Sequence, residues 1–202
     1  LYDHEKANER RAVGERFWWY ICTGPKAPYP GLFIDRAATD LRVWLWQTWQ
    51  NDIEGVLIWR LNHWHYPRQL GGGLQNPYED TQNWTILYGY KHGYGNGDGR
   101  FIYPPEAAVE GSEDYVMDDP VDSIRWEMLR DGIEDYEYFV ILAGLLEERR
   151  DQIPPDERGI YEELLEVPDT ISKSLTEFTK DPSPLDARRD AIARAIVRLS
   201  RM

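Results

Sequence analysis

The most constraining feature of this sequence is a strand–loop–helix–strand pattern in its first third. The apolar runs FWWYICTG (residues 17–24) and GVLIWRL (residues 55–61) are typical of strands buried on both faces. Between them, the prolines of residues 25–30 predict an extended loop, and apolar residues at helical spacing predict a helix over residues 37–50, capped by Asp35. This βαβ unit implies a parallel sheet, so the chain is predicted to be an α/β protein.

The segment between residues 62 and 98 shows no convincing periodicity and is rich in glycine and aromatic residues. It follows the C-terminal end of a predicted strand, where parallel α/β folds place their binding sites, and so indicates a functional loop. A short strand is predicted over residues 100–103, and the longest helix over residues 123–149, capped by Asp122 or Ser123. The stripe expected to face the core consists of Ile124, Met128, Ile133, Tyr136, Val140 and Ala143.

Beyond residue 150 the sequence predicts a helical tail. Helices are expected over about residues 157–178, with a break at Pro168, and over residues 184–200. The apolar stripe of the last helix consists of Leu185, Ile192, Ile196 and Leu199. We therefore divide the chain into residues 1–150, which hold the strands and their helices, and the tail of residues 151–202.

Charge and hydropathy exclude several classes of partner. The net charge is −13, and no basic stripe with interleaved aromatic residues offsets it, so nucleic acid is not an expected partner. No apolar run approaches the roughly 20 residues that a membrane span needs. The single cysteine, Cys22, has no second cysteine to pair with in this chain, and its apolar neighbours predict a small buried side chain.

The chain has an excess of aromatic residues, with nine Trp and thirteen Tyr. Their faces could stack against sugar rings, or each residue could instead fill the core. Strand alternation predicts that Trp18 and Tyr20 share one side of the first strand and that Trp19 lies on the other. After the second strand, Asn62 and Trp64 combine an amide with an indole, which suits sugar hydroxyls and ring faces.

The acidic residues do not form an evident catalytic pair. A conventional glycosidase needs two carboxyl groups flanking the scissile bond, and no predicted strand end offers two acids together. Asp98, between two glycines, is expected to be a turn residue, with delivery of a polar group to a binding site as the alternative. Catalysis through Asp98 or Asp35 is a further hypothesis. His63 and His65 have no third ligand nearby, so no metal site is expected there.

Acidic residues also recur along one side of the long helix. They are Glu127, Asp131, Glu134 and Asp135. Arg125 and Arg130 are close enough in sequence to pair with them, and no loop is present to complete a calcium site. A structural ion-pair network is therefore predicted, and no metal or cofactor is expected.

Four segments in order carry a resemblance to a known family. They are WWYICTGPKAPYPGLFID, WQTWQNDIEGVLIWRLNHW, GDGRFIYP and SIRWEMLRDGIEDYEYFVIL. Over about residues 15–150 the chain thereby resembles the conserved end of the glycoside hydrolase family 123 catalytic domain, also catalogued as domain of unknown function 4091. The resemblance implies the C-terminal part of a (β/α)₈ TIM-type barrel, followed by the helical tail.

The resemblance also implies a glycan substrate. The family includes β-N-acetylgalactosaminidases of the retaining type, in which the 2-acetamido oxygen of the substrate acts as nucleophile, assisted by an Asp-Glu pair earlier in the barrel. No segment here matches that pair, so a fragment without the catalytic acids is expected and no catalytic residue is assigned. The candidate substrate-binding residues are Trp19, Tyr20, Trp59, Asn62, Trp64 and Asp98.

Two functions follow as hypotheses: part of a carbohydrate-active glycosidase, or a non-catalytic carbohydrate-binding or structural module. A partial barrel leaves open strand edges, so the remaining barrel segment or a second copy of the chain is the expected partner. The start at Leu1 without an initiator Met indicates a longer parent protein. An extracellular or periplasmic location would suit such a glycan-degrading parent.

Overall fold

Helices make up most of the regular structure. A computed structural model describes residues 2–65, 72–82, 95–109 and 118–202. The elements in chain order are α1 (His4–Arg11), β1 (Trp18–Tyr20), α2 (Thr39–Gln50), β2 (Gly55–Leu57), β3 (Ile102–Tyr103), α3 (Glu106–Val109), β4 (Val121–Asp122), α4 (Ile124–Glu148), α5 (Pro155–Leu164) and α6 (Ser183–Leu199). Within the described part of the chain, no helix is both long and apolar enough to cross a membrane.

The predicted βαβ unit is confirmed. β1 and β2 pair in parallel, with Trp18 opposite Gly55 and Tyr20 opposite Leu57, and α2 connects them. Each strand has three residues, fewer than the apolar runs predicted, and within the described ranges each pairs with only the other. A second two-stranded sheet joins β3 and β4 in antiparallel order. Both sheets are small and open, and a closed barrel is not seen among the described residues.

α2 is the most deeply placed helix, with every residue from Thr39 to Thr48 buried. It begins after Ala38 without a side-chain cap, so the prediction that Asp35 caps this helix is wrong. The reason is that three residues separate Asp35 from the first turn, and its carboxylate turns away to accept a hydrogen bond from Asn96 Nδ2 at 2.8 Å.

α4 has nearly the predicted bounds, and its N-cap is Ser123, whose Oγ accepts from the Trp126 backbone N–H at 3.2 Å. The predicted core stripe is wrong at Ile124, Ile133 and Val140, which are exposed. Its other members, Met128, Tyr136 and Ala143, are half-buried. The buried positions are Arg125, Leu129, Gly132, Asp135, Phe139 and Leu142. Half of this face is polar or glycine, so a search for apolar residues at helical spacing selects a neighbouring face of the helix.

α2 and α4 approach each other closely at Gly132. A Cβ atom added there would lie 3.0 Å from Leu45 Cγ and 3.2 Å from the Cα of Arg42. The missing side chain thus sets the distance between the two helices. Gly144, on the same helix, has open space where its Cβ would be.

We expect Gly132→Leu to lower the free energy of unfolding by about 1–3 kcal/mol, because additional carbon atoms enter a filled core. The matched control is Gly144→Leu, which is expected to be neutral or slightly stabilising because leucine has the higher helix propensity. Urea unfolding followed by far-UV circular dichroism measures both variants. Equal unfolding midpoints for the two would contradict the close helix contact.

The tail shares its core with α2 and α4. Trp46 and Phe139 belong to one buried cluster with tail residues Ile153, Ile171, Leu185, Ile192 and Leu199. The predicted stripe of the last helix is confirmed, with Leu185, Ile192 and Leu199 buried. The preceding helix, α5, ends at Leu164, before the predicted break at Pro168. The helix predicted from there to residue 178 is wrong, because this segment forms turns and an antiparallel bridge between Ser172 and Phe178. A second buried cluster, which includes Leu41, Trp44 and Phe101, has β1 and β2 residues packed against it.

Candidate functional site

The face of the β1–β2 sheet turned away from the core carries exposed apolar side chains. Trp18, Tyr20 and Leu57 are 64%, 59% and 46% exposed, whereas Trp19 and Val56 pack against the core. We call Trp18, Tyr20 and Leu57 the exposed sheet face. Such a group of uncovered aromatic and aliphatic side chains is typical of a binding surface or an interface.

Trp18 lies flat over the neighbouring strand. A Cβ atom added to Gly55 would be 2.5 Å from Trp18 Cε2, so only glycine at this position lets the indole rest on β2. Trp18 was not among the predicted sugar contacts. Strand alternation had nevertheless placed it beside Tyr20, and that signal identifies it as a member of the exposed sheet face.

A cavity of about 580 Å³ borders β1. Its lining residues include Tyr2, Trp19, Tyr20, Cys22, Tyr29 and Trp44. Pockets with mostly aromatic and apolar walls are typical of small-ligand sites. Cys22, which was predicted to be buried, is half-buried because it forms part of this wall.

Trp19 points toward α2 rather than toward the exposed sheet face. Its indole N–H donates to Thr48 Oγ1 at 3.0 Å, and the ring of Tyr2 packs edge-on against it with the centroids 5.7 Å apart. Trp19 could therefore contact a ligand in the cavity that it lines, but not one on the exposed sheet face. Tyr20 is the more exposed of the two aromatic rings.

Trp59 follows the C-terminal end of β2 and is held by a turn at residues 97–99. Its indole N–H donates to Asp98 Oδ1 at 2.9 Å, and Gly99 lies against its ring, where a Cβ would be 2.8 Å from Trp59 Cζ2. The turn predicted around Asp98 is confirmed, but the side chain of Asp98 is buried, not presented to solvent. Burial raises the pKa of Asp98, against the opposing effects of the Trp59 N–H and the positive charge of Arg125.

His63 lies beside Trp59, with ring centroids 5.4 Å apart. Burial, followed by the positive charges of Arg60 and Arg100, lowers the pKa of His63 to about 4. The imidazole is therefore neutral at pH 7, and its Nδ1 lies 2.6 Å from Arg60 Nη1, where it accepts a hydrogen bond. In the described ranges, no group of three or more His, Cys, Asp or Glu side chains is placed to hold a metal ion.

Asn62 and Trp64 differ in their openness. Asn62 is exposed, and its backbone forms an antiparallel bridge with Arg100. Trp64 is half-buried, and its indole N–H donates to the carbonyl of Ile102 in β3 at 2.9 Å. The amide of Asn62 is therefore open to a ligand, whereas the donor of Trp64 is occupied within the fold. Residues 66–71 and 83–94 of the predicted functional loop lie outside the described residues.

Arg100 anchors the loop that follows β2. Its side chain is fully buried, and Nε donates to the carbonyl of His63 and Nη1 to the carbonyl of Asp80, each at 2.7 Å. A third hydrogen bond reaches Gln75 Oε1. Local sequence patterns do not reveal this role, because these three partners lie 20 to 37 positions away from Arg100 along the chain.

Arg125 performs a similar role from α4. Its Nη1 donates to the carbonyls of Leu32 at 2.8 Å and Gly97 at 2.7 Å, and Nη2 donates to the carbonyl of Arg100. The prediction that Arg125 pairs with acids on α4 is wrong, because its side chain points inward, to the loops that follow β1 and β2. Those loops are thereby fixed relative to α4.

The acidic side of α4 forms a surface cluster and a buried contact, which Arg189 of α6 connects by pairing with both Glu134 and Asp135. Arg130 lies near Glu127 at 2.7 Å, Asp131 at 3.5 Å and Glu134 at 3.6 Å, which confirms the predicted pairing on the surface. Asp135 instead is buried and bound by Arg42 of α2. Its role is to connect helices and not to form a surface site.

A comparison with models of protein families identifies the family of this chain. The glycoside hydrolase 123 catalytic domain matches residues 2–142. The chain belongs to this family. The resemblance inferred from the four sequence segments is thereby confirmed. A comparison with curated proteins gave no match.

Among solved structures, this family 123 chain is similar to a family 123 glycoside hydrolase from Clostridium perfringens, whose structural analysis concerned the details of glycolipid glycan hydrolysis. The TM-score is 0.57 at 20% sequence identity, so the similarity concerns the fold. It covers 98% of this chain and 29% of that one. The family 123 chain thus spans less than a third of the length of this relative.

Proposed function

We propose that the chain is the sugar-contacting C-terminal part of a family 123 glycoside hydrolase, and that its substrate is a glycan with a terminal β-linked N-acetylgalactosamine. The observation that carries the proposal is the placement of two exposed aromatic rings, Tyr20 and Trp59, at the C-terminal ends of two adjacent parallel strands. Ligands of parallel α/β folds bind at these strand ends. The glycolipid glycan hydrolysis described for the Clostridium perfringens relative supports the substrate class.

The chemistry of these side chains suits a sugar. Aromatic rings offer a negative face to the C–H groups of a pyranose, and the Tyr20 hydroxyl adds a donor and acceptor at the ring edge. The exposed amide of Asn62 can donate to one sugar hydroxyl and accept from another. These groups bind and orient a glycan, and none of them is a carboxyl group.

We assign the catalytic acids to a part of the catalytic domain outside these residues. Asp98 is 1% exposed and accepts from Trp59, and the carboxylate of Asp35 is engaged by Asn96. Burial therefore keeps Asp98 from a substrate acetamido group. Asp35 is exposed, and we assign it no catalytic role because Asn96 already binds its carboxylate. Substrate-assisted retaining hydrolysis in this chain thus depends on an acid pair supplied by the remaining barrel segment.

The partner that we propose is that barrel segment. Among the described residues, β1 and β2 pair only with one another, so within that part of the chain each strand has one edge with no neighbouring strand. Unpaired edges next to an exposed apolar face favour the addition of further strands. Parallel strands from the rest of the barrel would pair at these edges and make Trp18 and Tyr20 face a shared interior. A second copy of the chain is the alternative occupant.

The test compares the chain alone with the chain co-produced with the upstream part of its domain, using an aryl N-acetyl-β-galactosaminide as substrate. We expect no turnover from the chain alone and turnover from the pair. Rapid hydrolysis by the chain alone would overturn the fragment assignment. Glycan binding without hydrolysis by the pair would favour the non-catalytic module.

Sugar contact is tested separately by titrating the chain with N-acetylgalactosamine and following the protein by NMR. Tyr20→Ala and Trp59→Ala are each expected to weaken binding about tenfold, equivalent to about 1.4 kcal/mol. The control is Ile160→Ala, an exposed apolar residue on α5. Unchanged affinity in both aromatic variants would remove the proposed contact surface.

A further inference from the structure

The carboxylate of Asp98 is buried, which an Asp-Gly turn does not require. An Asp-Gly turn forms equally well with the carboxylate in water, and burying a carboxylate costs free energy unless it is compensated. Here Asp98 is 1% exposed and its Oδ1 accepts the indole N–H of Trp59 at 2.9 Å. The residues are 39 positions apart, so the contact joins two loops.

The turn that carries Asp98 is fixed on both sides. Gly97 and Gly99 have positive φ angles of 77° and 72°, which side chains other than glycine rarely adopt. A Cβ at Gly97 would lie 2.6 Å from Arg125 Nη2, and a Cβ at Gly99 would lie 2.8 Å from Trp59 Cζ2. The backbone is thus packed between a buried guanidinium and the indole, which leaves the carboxylate little freedom to move.

Trp59 is restrained at its edge and along part of its ring. The N–H is bound by Asp98, and Gly99 and His63 pack against the ring. The side chain nevertheless stays 38% exposed. A ring that is restrained before the ligand arrives loses less rotamer entropy on binding than a mobile one.

We propose that Asp98 is a positioning residue, which fixes the Trp59 indole as a preformed stacking platform for the sugar and does not itself touch the sugar. The inference rests on the proposed function, in which Trp59 contacts the glycan. It changes the role predicted for Asp98 from direct substrate contact to control of the side chain that makes the contact.

The test is a double-mutant cycle on the full chain, with N-acetylgalactosamine affinity measured by NMR titration. Asp98→Ala is expected to weaken binding about fivefold, because the ring must then be ordered on binding. Trp59→Phe keeps an aromatic face but removes the N–H, so Asp98→Ala should have no further effect in that background. An equal effect of Asp98→Ala in both backgrounds would overturn the positioning role.

A second readout does not depend on the sugar. The indole N–H resonance of Trp59 should shift as Asp98 is protonated, and Asp98→Asn, which preserves size and an acceptor oxygen, should abolish this titration while the circular dichroism spectrum is retained. A resonance that titrates unchanged in Asp98→Asn would contradict the contact.

The two proposals fail in different ways. If Trp59→Ala leaves sugar affinity unchanged, Trp59 does not contact the sugar, and both the contact and the positioning role are wrong. If Trp59→Ala weakens binding but Asp98→Ala does not, the sugar contact stands and only the positioning role is overturned.

Discussion

Replacing Asp135 with alanine is expected to lower the free energy of unfolding by about 3 kcal/mol, because the Arg42 guanidinium loses its buried carboxylate partner and keeps only the exposed Asp186. Arg42 Nε donates to Asp135 Oδ2 at 2.6 Å, and Trp46 Nε1 donates to the same oxygen at 2.7 Å. Arg189 of α6 adds an ion pair at 3.4 Å. One carboxylate therefore joins three helices. Its loss removes the acceptor of the Trp46 indole and leaves the Arg42 guanidinium with Asp186 as its remaining carboxylate partner.

The matched control for this experiment is Asp131→Ala. Asp131 lies one turn earlier on α4 and pairs with Arg130 on the surface at 3.5 Å. Solvent screens that pair, so its removal should cost less than about 1 kcal/mol. Chemical denaturation of both variants measures the difference. A cost for Asp135→Ala as small as that for Asp131→Ala would show that the buried network does not stabilise the fold.

We also expect a large loss of stability for Arg125→Met, which should lower the free energy of unfolding by about 3 kcal/mol or more. Methionine fills much of the same space but cannot donate, so the carbonyls of Leu32, Gly97 and Arg100 lose this donor in a buried region. Each buried acceptor left unpaired costs about 1–3 kcal/mol. The Gly97 carbonyl also accepts the Arg100 backbone N–H, so the carbonyls of Leu32 and Arg100 contribute most of the expected loss. The loops after β1 and β2 should loosen together, and the turn that carries Asp98 should loosen with them.

Two measurements separate the loss of stability from the loosening of the loops. Arg130→Met, on the exposed side of the same helix, should change the free energy of unfolding by less than about 1 kcal/mol. Hydrogen exchange should then accelerate at the amides of residues 97–101 in Arg125→Met and stay unchanged in Arg130→Met. Protection of that segment equal to wild type would contradict the anchoring role of Arg125.

The elements that the sequence predicted well are those encoded by local signals. The βαβ unit follows from two apolar runs flanking a helical pattern, and the start of α4 follows from Ser123, whose side chain caps the first turn. The apolar pattern did not predict which face of α4 is buried, because the buried positions include Arg125, Gly132 and Asp135. Their partners on other elements make burial favourable, and those partners lie between 25 and 93 residues away in the chain.

The candidate site also contains features that local sequence patterns predict and features that they do not. Alternation along β1 correctly separates Trp18 and Tyr20 from Trp19, because the direction of a strand side chain depends only on its position. The contact between Trp59 and Asp98 depends on how two loops fold back on each other, which no local pattern records. Asp98 was therefore predicted as a turn residue but not as the acceptor for an indole.

The region shared with the family and the region that folds together end at different residues. The family match stops at residue 142, inside α4, whereas Trp46 and Phe139 are covered by side chains as distant as Leu199. A truncation at residue 142 would expose the Trp46 indole, the Phe139 ring and several aliphatic side chains to water. The tail therefore lies outside the family match, yet its apolar side chains are needed to cover Trp46 and Phe139.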